Sequence, residues 1–293
     1  MIEVQELSRS FGDLKAVDEV SFSVRDGELT GFVGGNGAGK TTTMRMIMGI
    51  LEPTHGQVRW QGSDMTAADR ARFGYMPEER GLYPKQPVLS QLIYFGQLHG
   101  MSMQQAKKKS LELLEHFGLA DRAKDKLEKL SLGNQQRVQI AAAVLFQPEA
   151  LILDEPFSGL DPDAVTQMHA VLTTFAAEGV PILFSSHQLE LVEQLCDQII
   201  ILAHGKVVAQ GTVEQLRAQG QHEHRIQTDA DLGWLRDRPG VSVVDLDGNH
   251  ALVRFADDNV EQQVLAEALA RGPVRSFGPN IRPLSHIYRE VTR

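Results

Sequence analysis

Three short motifs in a fixed order constrain this chain more than any bulk property. The first is Gly34-Gly35-Asn36-Gly37-Ala38-Gly39-Lys40-Thr41, which fits the pattern G-x-x-x-x-G-K-[ST]. The second is Leu130-Ser131-Leu132-Gly133-Asn134-Gln135-Gln136, and the third is Leu151-Ile152-Leu153-Asp154-Glu155-Pro156, with His187 downstream. Before the first motif, Leu29-Thr30-Gly31-Phe32-Val33 reads as a buried strand. After it, Thr42 to Ile50 carries Met44, Ile47 and Met48 at helical spacing. Strand, glycine-rich loop and helix in that order turn backbone N–H groups inward around phosphate oxygens, and the helix dipole adds partial positive charge there. Lys40 is expected to reach the β- and γ-phosphates of a nucleotide, with the Thr41 hydroxyl on Mg²⁺. Gly34, Gly35, Asn36, Gly37, Ala38, Gly39, Lys40, Thr41 and Thr42 together form the expected phosphate cradle.

Ala150 to Leu153 is an apolar run ending in Asp154-Glu155, as a buried parallel strand with two carboxylates at its C-terminal end would be. Open α/β sheets bind ligands at that end. Asp154 is the expected Mg²⁺ ligand and Glu155 the general base that polarises the attacking water. His187 ends a further apolar strand, Ile182-Leu183-Phe184-Ser185-Ser186, and is placed on the same edge, facing the γ-phosphate. Glu78, after Gly74-Tyr75-Met76-Pro77, is a candidate for the metal or the attacking water; an exposed loop carboxylate beside Glu79 is the plainer reading.

With these elements on the page, the stretch from Met1 to Ala218 resembles the nucleotide-binding subunit of an ATP-binding cassette (ABC) transporter. Its motifs follow in the family's order: Phe11 as the aromatic that stacks on adenine, the phosphate loop, the Glu78 loop, the Leu130–Gln136 signature, the acidic strand, the Ser158-Gly159-Leu160-Asp161 loop and His187. The resemblance implies an α/β P-loop NTPase with a RecA-like core, an antiparallel β subdomain and a helical subdomain over about 81–148. It also implies ATP and Mg²⁺ as ligands and a head-to-tail homodimer that sandwiches the nucleotide. Ser131, Gly133 and Asn134 would then touch the γ-phosphate across the interface, and Asp161 would belong to the nucleotide site. An integral membrane permease of about six spans would be the partner, placing the chain in the cytoplasm, peripheral on the inner face of the membrane.

Some positions depart from the family pattern. The usual signature is Leu-Ser-Gly-Gly-Gln, whereas Leu132 and Asn134 stand here; Glu78 replaces the usual Gln, and Gly35 the usual Pro. Glu78 adds negative charge near a triphosphate, which should make Mg²⁺ more necessary. Pro77-Glu78-Glu79-Arg80-Gly81-Leu82-Tyr83 resembles the branch serving ABC-2 type exporters of sodium and drugs. The alternative, a soluble ATPase of the same superfamily acting in translation or DNA repair, usually brings two tandem cassettes or a long coiled coil. About 90 residues separate the first two motifs here, without sustained heptads.

A chain of 293 residues has room for one large and one small domain, read as 1–218 and 219–293. No apolar run approaches the roughly 18 residues of a membrane span. The net charge of −9 argues against nucleic acid as partner, because phosphate backbones call for basic patches. Lys107-Lys108-Lys109 reads as a solvated helix face. Tyr83, Leu89, Leu92, Tyr94 and Phe95 are candidates either for the groove that receives a permease helix or for plain core packing. An antiparallel sheet is expected over Ile2 to Glu28, with a turn at Asp26-Gly27. After a linker at Arg217–Glu223, the order β-α-β-β-α-β suggests a ferredoxin-like α+β module. Its elements are strand His224–Thr228, helix Asp231–Asp237, strands Val241–Asp245 and Ala251–Phe255, helix Val260–Ala270, strand Val274–Phe277 and helix Leu284–Val291.

Overall fold

The computed structural model describes residues 1–79, 81–218, 223–280 and 288. They group into two compact units, one of Met1–Val213 with Tyr288, the other of the remaining described residues from Glu214 onward.

The first unit opens with a hairpin of β1 (Ile2–Phe11) and β2 (Leu14–Val24), in which buried and outward residues largely alternate. Its turn falls at Gly12-Asp13, with Gly12 at φ 58. The turn expected at Asp26-Gly27 exists but leads into β3 (Leu29–Val33), which joins a different sheet. After α1 (Lys40–Ile47), strands β4 (His55–Trp60) and β5 (Ser63–Asp64) complete an antiparallel sheet of order β2-β1-β4-β5. A one-turn helix α2 (Ala67–Arg70) then precedes β6 (Phe73–Met76).

The helical layer follows as α3 (Val88–Leu98), α4 (Met103–His116) and α5 (Leu132–Val144). Ser102 and Gln105 close a reciprocal capping box at the start of α4, which satisfies two otherwise orphan N–H groups. The chain returns to the core with β7 (Ala150–Leu153), α6 (Pro162–Ala177), β8 (Ile182–Ser186), α7 (Leu189–Leu195), β9 (Gln198–Ala203) and β10 (Lys206–Gly211). A short α8 (Val213–Ala218) begins where the units divide and takes up part of the expected linker.

The central sheet has the order β10-β9-β3-β8-β7-β6, parallel except for the β9–β10 pair. Strands β3, β7 and β8 are buried at every residue, the signature of parallel strands covered on both faces. Phe32, Ile152 and Leu183 of this sheet share one core with Met44 and Ile47 of α1 and with Val4, Leu7 and Phe22 of the antiparallel sheet. Register then fixes the site: Val33 pairs with Ser186, Leu153 with Phe184 and Met76 with Leu153. The loops after β3, β6, β7 and β8 therefore leave from one edge.

In the second unit the strands are β11 (Glu223–Thr228), β12 (Val241–Asp247), β13 (His250–Phe255) and β14 (Val274–Pro279), with α9 (Asp258–Arg271) before the last. The order β12-β13-β11-β14, antiparallel throughout, is that of a ferredoxin-like sheet. The expected helix at Asp231–Asp237 is a 3₁₀ segment, Gly233–Asp237. The Asp231 carboxylate accepts from the Gly233 N–H at 2.7 Å and holds this stretch as a tight turn rather than an α-helix. Helix α9 starts earlier than expected because Asp257 caps it, accepting from the Val260 N–H at 2.9 Å. The helix expected at Leu284–Val291 lies outside the described residues apart from Tyr288.

Phe184 is fully buried in β8 and meets Phe157 edge-on at 5.1 Å. Phe184→Ala should lower unfolding free energy by about 3–5 kcal/mol, from lost burial plus the cavity left behind. Urea unfolding followed by circular dichroism checks this.

Candidate functional site

The loop between β3 and α1 needs glycine where its backbone turns left-handed, at Gly37 (φ 78) and Gly39 (φ 105). A side chain at Gly39 would also place its Cβ 2.7 Å from the Ala16 carbonyl oxygen. Lys40 is buried, and its Nζ donates to the Gly34 carbonyl at 2.7 Å and the Gly35 carbonyl at 3.3 Å. The loop lines a cavity of about 410 Å³, with Phe11, Leu14 and Ala16 also on its wall and Glu78, Asp154 and Glu155 completing it. Phe11 stands 48% exposed at the tip of the hairpin, with the Arg9 guanidinium 5.0 Å from its ring centroid. An open aromatic face here is what a purine base could stack on.

The acidic pair is held by side chains whose part the sequence alone does not announce. Ser185 Oγ donates to Asp154 Oδ1 at 2.5 Å and accepts from the Glu155 N–H at 2.8 Å. Gln136 Nε2 donates to the Glu155 and Pro156 carbonyls at 2.9 and 3.1 Å. Glu155 sits at φ 53, a left-handed conformation that costs a non-glycine residue free energy and that these bonds help hold. A polar serine inside the apolar strand Ile182–Ser186 was the one signal available for Ser185. Gln136 had none beyond its membership of the second motif.

Glu155 points back into the cavity: its Oε2 is 2.9 Å from His187 Nδ1, and its Oε1 is 4.0 Å from Lys40 Nζ. Burial raises its carboxyl above the ordinary range, while His187 and Lys40 work against that rise. Asp154 is 1% exposed, and its Oδ2 is buried without a hydrogen-bond partner. Thr41 Oγ1 donates to Glu78 Oε2 at 3.4 Å. Orphaned carboxylate oxygen, hydroxyl and second carboxylate are the hard donors Mg²⁺ takes. Among the described residues no group of three or more His, Cys, Asp or Glu could hold a metal ion.

The second motif lies elsewhere. Helix α5 begins at Leu132, earlier than the Gln135 expected, because Ser131 is its N-cap and accepts from the Asn134 N–H at 3.3 Å. Gly133 and Asn134 thus fall in the first turn. None of Ser131, Gly133 and Asn134 lines the phosphate-loop cavity of the same chain. A Cβ at Gly133 would meet Leu160 Cδ2 at 3.3 Å, so the motif and the Ser158–Asp161 loop abut. Asp161 does not reach the cavity either; it caps α6, accepting from the Ala164 N–H at 2.8 Å. Of the groove candidates, Leu92 is fully buried, whereas Tyr83 and Tyr94 are 49% and 47% exposed. With Gln86, Ser90 and Gln91 they line a second cavity of about 330 Å³.

A phosphate loop, an acidic strand and a histidine on one edge of a parallel sheet define a nucleotide-hydrolysing cassette, and comparison with known proteins narrows the class. Residues 17–158 match the family described as ABC transporter, and residues 211–292 match the C-terminal domain of DrrA1-3-like ATP-binding proteins. The uncharacterized ABC transporter ATP-binding protein YhaQ of Bacillus subtilis is 40% identical over 278 residues, 94% of this chain and 93% of that one. The linearmycin resistance ATP-binding protein LnrL of the same organism is 33% identical over 285 residues, 92% and 91% of the two chains. A solved structure of an ATP-binding subunit of an ABC transporter superposes with a TM-score of 0.68 at 34% identity, covering 75% of this chain and 92% of the other. The chain belongs to the ATP-binding proteins of the ABC transporter family and is an ATPase of that class. Among the described residues no helix is long and apolar enough to cross a membrane.

Because His187 opposes the burial-driven rise of the Glu155 carboxyl, His187→Ala should push that carboxyl further up. If Glu155 is the general base, it must be ionised to act, and the acid limb of the residual ATPase activity should move to higher pH. A pH–rate profile of the variant against the parent chain reads the shift.

Proposed function

We propose that this chain binds Mg²⁺-ATP, closes on a second copy of itself and drives export through a separate ABC-2 type membrane permease. The observation that carries the reading is the convergence of Lys40, Thr41, Asp154, Glu155 and His187 on one sheet edge, while the start of α5 stays out of that cavity. Each single-chain site then lacks the helix N-terminus that would face its terminal phosphate, and a head-to-tail partner would supply it through Ser131, Gly133 and Asn134. Phe11 stacks on the base. The N–H groups of the loop from Gly34 to Thr42 bind the β- and γ-phosphates with Lys40. Thr41, Asp154 and Glu78 would hold Mg²⁺, which when bound neutralises phosphate charge.

In hydrolysis a water oxygen attacks the γ-phosphorus and its proton passes to Glu155. The bond from that phosphorus to the bridging oxygen breaks, and ADP leaves. His187 orients the Glu155 carboxylate and faces the γ-phosphate. The exposed tyrosines Tyr83 and Tyr94 would offer a docking face to the permease, for which about six spans are expected, and the match to LnrL, a resistance protein by name, favours export. The C-terminal unit would serve dimer contact or regulation. The chain would then work at the inner face of the membrane, held there by the permease.

Glu155→Gln should bind ATP without turning it over. Light scattering after gel filtration should find a monomer without nucleotide and a dimer with Mg²⁺-ATP. A mass that does not respond to ATP would overturn the sandwich. Glu78→Gln removes a negative charge from the phosphate end, so ATP affinity in EDTA should rise about tenfold, near 1.4 kcal/mol. Affinity with saturating Mg²⁺ should change far less; equilibrium dialysis measures both.

A further inference from the structure

The aromatic at the hairpin tip is backed by a cation that stands outside the nucleotide cavity. Phe11 lines the phosphate-loop cavity, whereas Arg9, two residues before it in β1, does not. The Arg9 guanidinium carbon lies over the Phe11 ring, 5.0 Å from its centroid and within the reach of a cation–π contact. One face of the ring is therefore taken from outside the cavity, and the other is left for what enters it. The guanidinium is not loose in solvent. Its Nη1 donates to the Glu52 carbonyl at 2.8 Å, across 43 positions of chain, and its Nε is buried with no hydrogen-bond partner. A buried N–H without a partner costs free energy, so packing against the ring, and not hydrogen bonding alone, keeps Arg9 there. Phe11 itself is 48% exposed beside the Gly12 turn, and without Arg9 its ring would be free to change rotamer.

We propose that Arg9 is a positioning residue for the purine base: it clamps the Phe11 ring from outside the cavity, so that the base meets a face already in place. An exposed aromatic that is immobilised only on binding loses its side-chain freedom at that moment, whereas a clamped one has lost it beforehand. The positive charge over one face also offsets the negative quadrupole of the ring, so the opposite face meets an electron-rich purine with less repulsion. Both effects act through Phe11 and neither reaches the phosphates. The proposal rests on the assignment of Phe11 to the base.

The test is a double-mutant cycle on the full-length chain: Arg9→Gln, Phe11→Ala and the two together, each titrated with Mg²⁺-ADP by calorimetry. ADP carries the base and lacks the γ-phosphate on which closure of a dimer would depend. Arg9→Gln should weaken ADP binding about two- to fivefold, the size of an exposed cation–π contact, and Phe11→Ala should weaken it about fivefold or more. On the Phe11→Ala background, Arg9→Gln should cost nothing further. In turnover, Arg9→Gln should raise KM for ATP and leave kcat unchanged. Equal loss on both backgrounds would overturn the proposal, because Arg9 would then act without the ring. Unchanged ADP affinity in Arg9→Gln would overturn it outright, and so would a fall in kcat, which a mere support of the fold would give. If Phe11→Ala bound ADP as tightly as the parent chain, the assignment of Phe11 to the base would itself fail, a result distinct from the others.

Discussion

The parallel register of β3, β8, β7 and β6 is the constraint on which the candidate site depends. Their pairings bring four strand ends to one edge, so that Gly34, Asp154 and His187 follow directly from it and Glu78 stands two positions past the end of β6. A one-residue slip of any strand would turn its side chains to the opposite face. The complete burial of β3, β7 and β8 opposes such a slip, since each strand packs on both faces. The core shared with α1 and the antiparallel sheet fixes the phosphate-loop helix by the same packing, and Phe22 against Phe32 at 5.3 Å is one of its joints.

On that frame the site holds charge under tension. Asp154 is buried with one oxygen satisfied by Ser185 and the other by nothing. Glu155 is strained at its backbone and raised at its carboxyl. Lys40 turns to the carbonyls of its own loop. The costs at Lys40 and Asp154 are ones that a bound nucleotide with its cation would relieve, since phosphate oxygens can take over Lys40 and a cation can satisfy Asp154. Desolvation raises the Glu155 carboxyl, and His187 and Lys40 oppose that rise.

The helical layer and the C-terminal unit obey ordinary folding rules, although they too bury unpartnered polar atoms, at Ser110, Gln139, His224 and Arg254. A capping box sets the start of α4 and a serine cap the start of α5, and neither needs a ligand. The ferredoxin-like sheet closes over Ile226, Leu235, Val253 and Val264.

The sequence by itself determined the phosphate loop, the acidic strand, the parallel-sheet class and the ferredoxin-like order. Each is written in local signals: glycine spacing, continuous apolar runs and turn residues that act within a few positions. Local signals also misplaced two boundaries, because Ser131 and Asp257 cap helices whose hydrophobic periodicity starts later. Tertiary structure alone decided that Ser185 and Gln136 hold the acidic pair and that Leu92 is core while Tyr83 and Tyr94 are open. These facts join residues far apart in the chain, and their partners are set by how strands register and helices pack, which no local pattern encodes.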